Sequence, residues 1–171
     1  MPNWCECTLE ITGDPKDVRD CLAFIATPQG ESDDQRLFDF ERVIPLPPEL
    51  REQLEAPSTA DSDPWDLMAQ MIRLWGTKWN ACGVTIEHQP DSGEAVIKFD
   101  TAWDPPWPIL RTLADRFPRL EFDFVYNDIQ APMAGRARRV PGQGWVTIDA
   151  RYDDGFCQAA VEAKSGRFEP S

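Results

Sequence analysis

Tryptophan is concentrated in one part of the chain. Four of the seven tryptophans lie within residues 75–107, and two of them close the related tripeptides Thr-Lys-Trp (77–79) and Thr-Ala-Trp (101–103). Between the tripeptides, alternating apolar residues at 84–88 and 95–99 flank a Pro-Asp-Ser-Gly turn, which predicts a β-hairpin. Because antiparallel pairing aligns the two strands, we expect the tripeptides to meet at the open end of this hairpin. The sequence therefore predicts an aromatic cluster there, which either stabilises the core or lines a groove.

Three further segments begin with the same dipeptide and predict helices. Asp-Pro occurs at 14–15, 63–64 and 104–105. The aspartate can cap the first turn of a helix, and proline suits the first helical position. Apolar residues follow at helical spacing in each segment. We expect the second helix, which has Trp65 and Trp75 on one apolar stripe, to be well buried.

Alternating apolar and polar residues predict the remaining strands. The pattern is clear at 5–12 and at 120–126, and residues 37–40 return to an extended pattern that the prolines after residue 44 end. A last hairpin is predicted at 136–152. The other predictions are a short helix at 49–55, an irregular stretch at 127–135, and an inward face of the last hairpin formed by Val146, Ile148 and Tyr152.

The order strand, helix, strand, helix, hairpin, helix, strand, hairpin predicts an α+β fold. It is typical of a mainly antiparallel sheet with helices on one face, as in the ferredoxin-like architecture, here with a C-terminal hairpin. The length of 171 residues favours one domain over residues 1–171. Residues 56–62 have the composition of a surface loop, and residues 156–171 are predicted as a C-terminal tail that begins with a short helix.

The charge balance limits the classes of partner. Acidic residues outnumber basic ones 30 to 17, a formal net charge of −13. Such a surface repels nucleic acid, so direct binding through phosphate neutralisation is not expected. It suits either solvation or a basic protein surface that normally holds nucleic acid. Since no apolar run approaches the roughly 20 residues of a membrane helix and the N-terminus is polar and acidic, we expect a cytoplasmic protein without membrane contact.

The chain has five cysteines and a single histidine, which limits metal chemistry. Cys5 and Cys7 would share one face of a strand and could form half of a metal site. The others, Cys21, Cys82 and Cys157, are isolated in the sequence. We therefore interpret the cysteines as free thiols and expect no metal or other cofactor.

Several short phrases occur in a fixed order along residues 2 to about 135. They are Pro-Asn-Trp-Cys at 2–5, Phe-Asp-Phe at 38–40 with Val-Ile-Pro-Leu-Pro at 43–47, Trp-Gly-Thr-Lys-Trp-Asn-Ala at 75–81, Phe-Asp-Thr-Ala-Trp at 99–103 with two prolines at 105–106, and Phe-Pro at 117–118 before the strand that ends at Tyr126. In this order they resemble the YubB-type ferredoxin-like family of plasmid and phage proteins. The resemblance implies the fold and a mobile-element origin, and no settled activity. Cys7 stands where relatives usually carry asparagine, and residues 143–171 lie outside the resemblance.

A small enzyme with its site at the open hairpin end is one hypothesis. Lys78 in an aromatic pocket could be tuned for acid–base or covalent chemistry. The sequence contains few other catalytic motifs, since it has no nucleophile elbow and no phosphate-binding glycine loop. A structural cation–π contact of Lys78 with Trp79 or Trp103 is the favoured interpretation, and we lean against an enzyme. The cluster and its polar neighbours are Trp4, Trp75, Lys78, Trp79, Asn80, Asp100, Thr101 and Trp103.

An acidic protein-binding module is the preferred hypothesis. Acidic residues collect in predicted loops and helix starts, where they can point outward. If they gather on one face, they would occupy the basic groove of a host nucleic-acid-handling defence complex and inhibit it, as anti-CRISPR or anti-restriction proteins do by nucleic-acid mimicry. The candidate partner-binding residues are Glu31, Asp33, Asp34, Asp61, Asp63, Asp66, Asp153 and Asp154.

A single-strand nucleic-acid binder is the third hypothesis, with the exposed tryptophans as stacking platforms. One modest basic cluster could contact a nucleic-acid backbone. In it, Arg136 and Arg138 would share a strand face while Arg139 points away. Edge strands of an antiparallel sheet also favour pairing between copies, so a homodimer is compatible with the sequence.

Overall fold

The fold is built on one antiparallel sheet. The computed structural model describes residues 3–28, 36–56, 64–128 and 133–151. Its strands are β1 (Trp4–Thr12), β2 (Cys82–His88), β3 (Glu94–Ala102), β4 (Glu121–Asp128), β5 (Met133–Arg139) and β6 (Val146–Arg151). They lie in the order β2-β3-β1-β4-β5-β6, and every neighbouring pair is antiparallel.

The described helices cover one side of this sheet. They are α1 (Pro15–Ile25), α2 (Phe40–Val43), α3 (Pro48–Glu55), α4 (Pro64–Trp75) and α5 (Trp107–Arg116). Their buried residues join the buried residues of the strands in one hydrophobic core. The predicted α+β arrangement, with a mainly antiparallel sheet and helices on one face, is confirmed. Within the described part of the chain, no helix has the length and apolar character needed to cross a bilayer.

The central strand β1 shows how the sheet divides into two faces. Cys5, Cys7, Leu9 and Ile11 are at most 3% exposed and belong to the core. The residues between them, beginning with Glu6, point to the opposite side of the sheet, because successive side chains alternate. We call this opposite, polar side the open face.

The predicted hairpin is formed by β2 and β3, and its open end joins the two tripeptides. Thr77 Oγ1 donates a hydrogen bond of 2.7 Å to the carbonyl oxygen of Ala102. Ala95, Ile97 and Phe99 of β3 are buried, as the alternation predicts. The two tripeptides therefore meet in space, although more than twenty residues separate them in the sequence.

The extended strand predicted at residues 37–40 is wrong, because this segment leads into the short helix α2. Asp39 caps that helix, and its Oδ1 accepts from the backbone N–H of Glu41 at 3.0 Å. The side chain of Asn80 accepts from the backbone N–H of Phe40 at 2.9 Å. Side chains thus satisfy the first donors of the helix, and no neighbouring strand is needed.

The start predicted for α5 at residues 104–105 is also wrong. The helix begins at Trp107, and no side chain caps it. Trp103 adopts a positive φ of 79°, and Thr101 Oγ1 donates to the carbonyl oxygen of Asp104 at 3.0 Å. The segment around the Asp-Pro dipeptide therefore forms a turn, and not the first turn of a helix as predicted.

Burial differs from prediction at two apolar residues. Trp65 in the first turn of α4 is 67% exposed, whereas Met71 and Trp75 near the end of the helix are buried. Leu67 packs against the core while only partly buried, and residues 64–66 are exposed, so the prediction of a well-buried helix is wrong for its first residues. Val146, predicted to face inward, is 56% exposed, because it lies opposite Arg138 on the edge strand β6.

The stretch 127–135 is more regular than predicted, since β4 continues to Asp128 and β5 begins at Met133. The predictions for residues 57–62, for the cap at Asp63, for Tyr152 and for the tail at 156–171 lie outside the described residues. The side chain of Ile148 lies outside them as well.

Candidate functional site

Trp75 is the buried part of the aromatic cluster. It is 2% exposed, and its indole Nε1 donates to the carbonyl oxygen of Ile44 at 2.9 Å. Its ring meets Phe40 edge-on, with ring centroids 5.9 Å apart. A buried indole whose donor is satisfied in this way stabilises the core.

Lys78, Trp79 and Trp103 form a second, surface part of the cluster. The Lys78 ammonium lies 4.6 Å from the ring centroid of Trp79 and 4.4 Å from that of Trp103. Trp4 approaches Trp79 with ring centroids 5.9 Å apart, and the two residues are 37% and 42% exposed. The predicted cation–π contact is confirmed, and it leaves exposed indole surface beside a cation.

Backbone contacts hold Trp103 in this position. Its N–H donates to the carbonyl oxygen of Asn3 at 2.8 Å, so the start of β1 fixes the end of β3. A positive φ at a non-glycine residue persists only when the surroundings impose it. The buried residues Thr77 and Thr101 supply the side-chain hydrogen bonds on either side. Thr101 is therefore a structural residue of this turn.

Asn80 and Asp39 form a polar hub below the cluster. Asn80 Nδ2 donates to Asp39 Oδ1 at 2.7 Å, and Asn80 Oδ1 accepts from the N–H groups of Phe40 and Ala81. Asp39 Oδ2 also accepts from Thr27 Oγ1 at 3.1 Å. The amide of Asn80 is thus used in joining α2 to the start of β2, which makes it a positioning residue.

A groove of about 860 Å³ adjoins the cluster and this hub. Residues from α2, α3 and α4 line it together with the segment that carries Lys78 and Trp79. Four of the lining side chains are cationic, namely Arg36, Arg42, Arg51 and Lys78. Two are carboxylates, namely Asp39 and Glu41. Sequence reasoning missed this groove, because its lining comes from residues 27–82 and carries no local motif.

Asp100 does not line this groove and instead lies on the open face. Its register partner on β1 is Glu6. Partial burial, and secondarily the charge of Glu6, raise the pKa of the Asp100 carboxyl above its ordinary value. The four polar residues predicted to converge are therefore divided, with Lys78 and Asn80 at the groove, Thr101 in the core and Asp100 on the other side of the sheet.

The open face carries ion pairs and, beside them, carboxylates that take part in none of these pairs. Its ion pairs join Lys98 to Glu87, Arg136 to Asp123 and Arg138 to Glu121. Glu6, Glu10 and Asp100 take part in no ion pair among the described residues. The alternation in β1 could have identified Glu6 and Glu10 as outward-facing, but their strand neighbours follow only from the register.

Most of the predicted acidic loop residues lie outside the described residues, so their clustering stays a prediction. These residues are Glu31, Asp33, Asp34, Asp61, Asp63, Asp153 and Asp154. Asp66 is described, lies exposed in the first turn of α4, and accepts from Gln70 Nε2 at 3.1 Å.

The basic cluster of β5 has the predicted orientation. Arg136 and Arg138 lie on the open face, where carboxylates of β4 already pair with them. Arg139 points to the other side and donates to the carbonyl oxygens of Pro118 and Leu120, each at 3.0 Å. These contacts give little support to backbone binding by a nucleic acid at this cluster.

The cysteines that could have formed half of a metal site are buried. Cys5 and Cys7 share the core side of β1, with their sulfur atoms 4.0 Å apart. Burial raises the pKa of the Cys7 thiol well above its ordinary value and that of Cys21 to about 12. Both thiols are therefore protonated at neutral pH. Among the described residues, no three potential ligands are grouped as a metal site would require.

The antiparallel sheet covered by helices on one side defines a ferredoxin-like domain. A family model described as the ferredoxin-like domain in Api92-like protein matches residues 75–165. The match covers more than half of the chain, and the chain belongs to this family. It also extends into residues 143–165, which lie outside the resemblance found by sequence reasoning. The YubB-type resemblance and the plasmid or phage origin stay predictions.

Comparison with solved structures supports the same fold. The crystal structure of protein Api92 from Yersinia pseudotuberculosis superposes with a TM-score of 0.58 at 11% sequence identity. The alignment covers 88% of this chain and 98% of that chain. At this identity the likeness concerns the fold alone. No curated protein matches the chain.

Proposed function

We propose that this domain is a non-enzymatic module that binds a basic protein surface through its open face. The observation that carries the proposal is the direct pairing of Glu6 with Asp100 across β1 and β3. Like charges opposite each other in a sheet are destabilising. Neither carboxylate has an ion pair among the described residues, so a cationic group of a partner would relieve their repulsion.

The partner in this proposal is a host complex that normally handles nucleic acid, such as a CRISPR complex or a restriction enzyme. Carboxylates on the open face would occupy its basic groove, and the domain would act as an inhibitor encoded by a plasmid or phage. The net charge of −13 supports this direction, because it steers the domain towards basic surfaces. The acidic segments at 31–34, 61–66 and 153–154 would add to the negative electrostatic potential that attracts a basic partner.

Catalysis has less geometric support than binding. Lys78 and its predicted polar neighbour Asp100 lie at different surfaces, and the Lys78 ammonium is held between two indole rings. Asn80 is occupied by three hydrogen bonds within the fold. A reaction would need groups that converge on one substrate atom, which this arrangement does not provide.

The test is affinity capture from a bacterial lysate by the full chain at low and at high salt. We expect a nucleic-acid-binding complex to be recovered at low salt, and we expect added duplex DNA or high salt to release it. The triple substitution Glu6→Gln, Glu10→Gln and Asp100→Asn should abolish the recovery.

A control variant removes the same amount of charge elsewhere. Glu52 and Glu55 lie exposed on α3 and Asp115 lies exposed on α5, so their substitution by the corresponding amides should leave recovery unchanged. Equal recovery by both triple variants would contradict the proposal. Capture that persists undiminished at high salt would contradict it as well.

A further inference from the structure

Two tryptophans at the end of the sheet expose indole surface next to each other. Trp4 and Trp79 are 37% and 42% exposed, and their ring centroids lie 5.9 Å apart. The ring planes are inclined by 51°, so they offer two separate faces and no continuous flat platform. Contiguous apolar groups that stay exposed in a folded domain are typical of an interaction surface. We call this pair of residues the indole surface.

Neighbouring residues hold the indole surface in place. The Lys78 ammonium lies 4.6 and 4.4 Å from the ring centroids of Trp79 and Trp103. The N–H of Trp103 in turn donates to the carbonyl oxygen of Asn3, the residue before Trp4. Because the fold fixes both indoles, a partner that packs on them loses less entropy on binding than it would on mobile side chains.

The indole N–H groups of this surface can donate to a partner. In the core, Trp75 uses its Nε1 to donate to the carbonyl oxygen of Ile44. By contrast, no acceptor among the described residues meets the indole N–H of Trp4 or Trp79, and neither nitrogen is buried. A partner that presents carbonyl oxygens beside apolar rings would therefore match both properties of the surface.

Two carboxylates adjoin the indole surface. Glu6 follows Trp4 by two residues in β1, so both side chains point to the open face. Asp100 is the register partner of Glu6. A partner that covers the indoles therefore meets negative charge at one end, which suits a basic residue. The same carboxylates and the net charge of −13 oppose a nucleic-acid backbone at this position.

We propose that the indole surface binds a proline-rich segment of a partner protein, with a basic residue of that segment next to Glu6 and Asp100. Such segments adopt the polyproline II helix, which has no internal hydrogen bonds and leaves its carbonyl oxygens free to accept from indole N–H groups. The helix is preformed and docks on surfaces lined by aromatic side chains. The aromatic contact does not depend on the function proposed for the open face, whereas the basic flank rests on it.

The test is titration of the full chain with synthetic peptides, followed by the NMR signals of the indole N–H groups. Decaproline flanked by arginine is compared with decaproline flanked by glutamate and with an arginine-flanked glycine–serine peptide of equal length. We expect the arginine-flanked decaproline to shift the signals of Trp4 and Trp79 and to bind at least tenfold more tightly than the glycine–serine peptide. The glutamate flank should weaken binding at least threefold at low salt. This difference should disappear near 1 M salt, where the screening length falls to about 3 Å.

Two variants separate the aromatic contact from the charged one. Trp79→Ala should weaken the binding of both proline peptides at least tenfold. Trp65→Ala, at a 67%-exposed position of α4, is the matched control and should have no effect. The double substitution Glu6→Gln and Asp100→Asn should remove only the preference for arginine over glutamate. Circular dichroism of each variant shows whether the fold is retained.

Absence of any indole shift with the proline peptides at millimolar concentration would overturn the proposal. Equal binding of the glycine–serine peptide, or unchanged binding by a folded Trp79→Ala variant, would overturn it too. Oligothymidylate that binds these indoles in place of the peptides would assign the surface to single-stranded nucleic acid instead. If no peptide binds while lysate capture is still lost in the triple variant of the open face, this proposal fails and the function proposed for that face stands.

Discussion

At the scale of single residues, the most informative pair is Glu6 and Asp100. They lie opposite each other on neighbouring strands, and partial burial together with the charge of Glu6 raises the pKa of Asp100. The protonated carboxyl is therefore favoured in the folded state. Protonated Asp100 therefore stabilises the folded state at low pH, and this stabilisation is lost as the pH rises through the raised pKa of Asp100.

Asp100→Asn should stabilise the protein at neutral pH. The amide removes the repulsion from Glu6, and we expect a gain of about 0.2–1 kcal/mol in the free energy of unfolding. Urea denaturation at pH 7 and again near pH 3 measures the effect, which should shrink at the lower pH, where the native carboxyl is protonated. Asp91→Asn, in an exposed turn, serves as the control. Lower stability of Asp100→Asn at pH 7 would count against this account.

Asn80→Ala should destabilise the protein. The substitution removes the acceptor of two backbone N–H groups and the donor to Asp39. Leaving partly buried groups unpaired costs about 1–3 kcal/mol. Urea denaturation gives the difference, and Gln53→Ala at an exposed position of α3 should change stability by no more than about 0.5 kcal/mol. An equal effect of both substitutions would show that the hydrogen bonds of Asn80 contribute nothing to the free energy of unfolding.

At the scale of elements, the junction between α4 and the hairpin depends on Gly76. This residue has a φ of +83°, and a Cβ added there would lie 2.8 Å from Pro108 Cδ and 3.1 Å from the carbonyl oxygen of Pro105. The glycine therefore sets both the end of α4 and its close approach to the start of α5. Chain reversal at this point delivers Lys78 and Trp79 to the edge of the groove.

Gly76→Ala should cost about 1–3 kcal/mol, because the new side chain meets backbone atoms and the positive φ is strained. Thermal denaturation followed by circular dichroism measures the loss. Gly144→Ala is the control, since no heavy atom lies within 4 Å of the added Cβ. A melting temperature that is unchanged by Gly76→Ala would contradict the tight junction.

Elements with a local signal were predicted well, and elements determined by distant partners were not. The alternation in β1 and β4 and the cap of α1, where Asp14 accepts from the N–H of Lys16, are properties of neighbouring residues. The helix α2 depends instead on Asn80, forty residues away. The groove and the pairing of Glu6 with Asp100 likewise require the register and the helix positions, which no short stretch encodes.

At the scale of the whole molecule, the net charge of −13 opposes compaction. Raising sodium chloride from about 10 to 150 mM shortens the screening length from roughly 30 to 8 Å, so we expect the melting temperature to rise. The variant with Glu6, Glu10 and Asp100 converted to amides should show a smaller rise. A melting temperature that falls with salt would mean that the ion pairs of the open face outweigh the repulsion.

The single strand β3 borders both candidate surfaces. Its residue Asp100 points to the open face, whereas its neighbour Thr101 and the following Trp103 support the wall around Lys78. The partner proposed for the open face would therefore contact the same strand whose end holds Trp103 beside Lys78. Binding on one side of the sheet would then register on the other, and the exposed indoles offer a built-in fluorescent reporter of it.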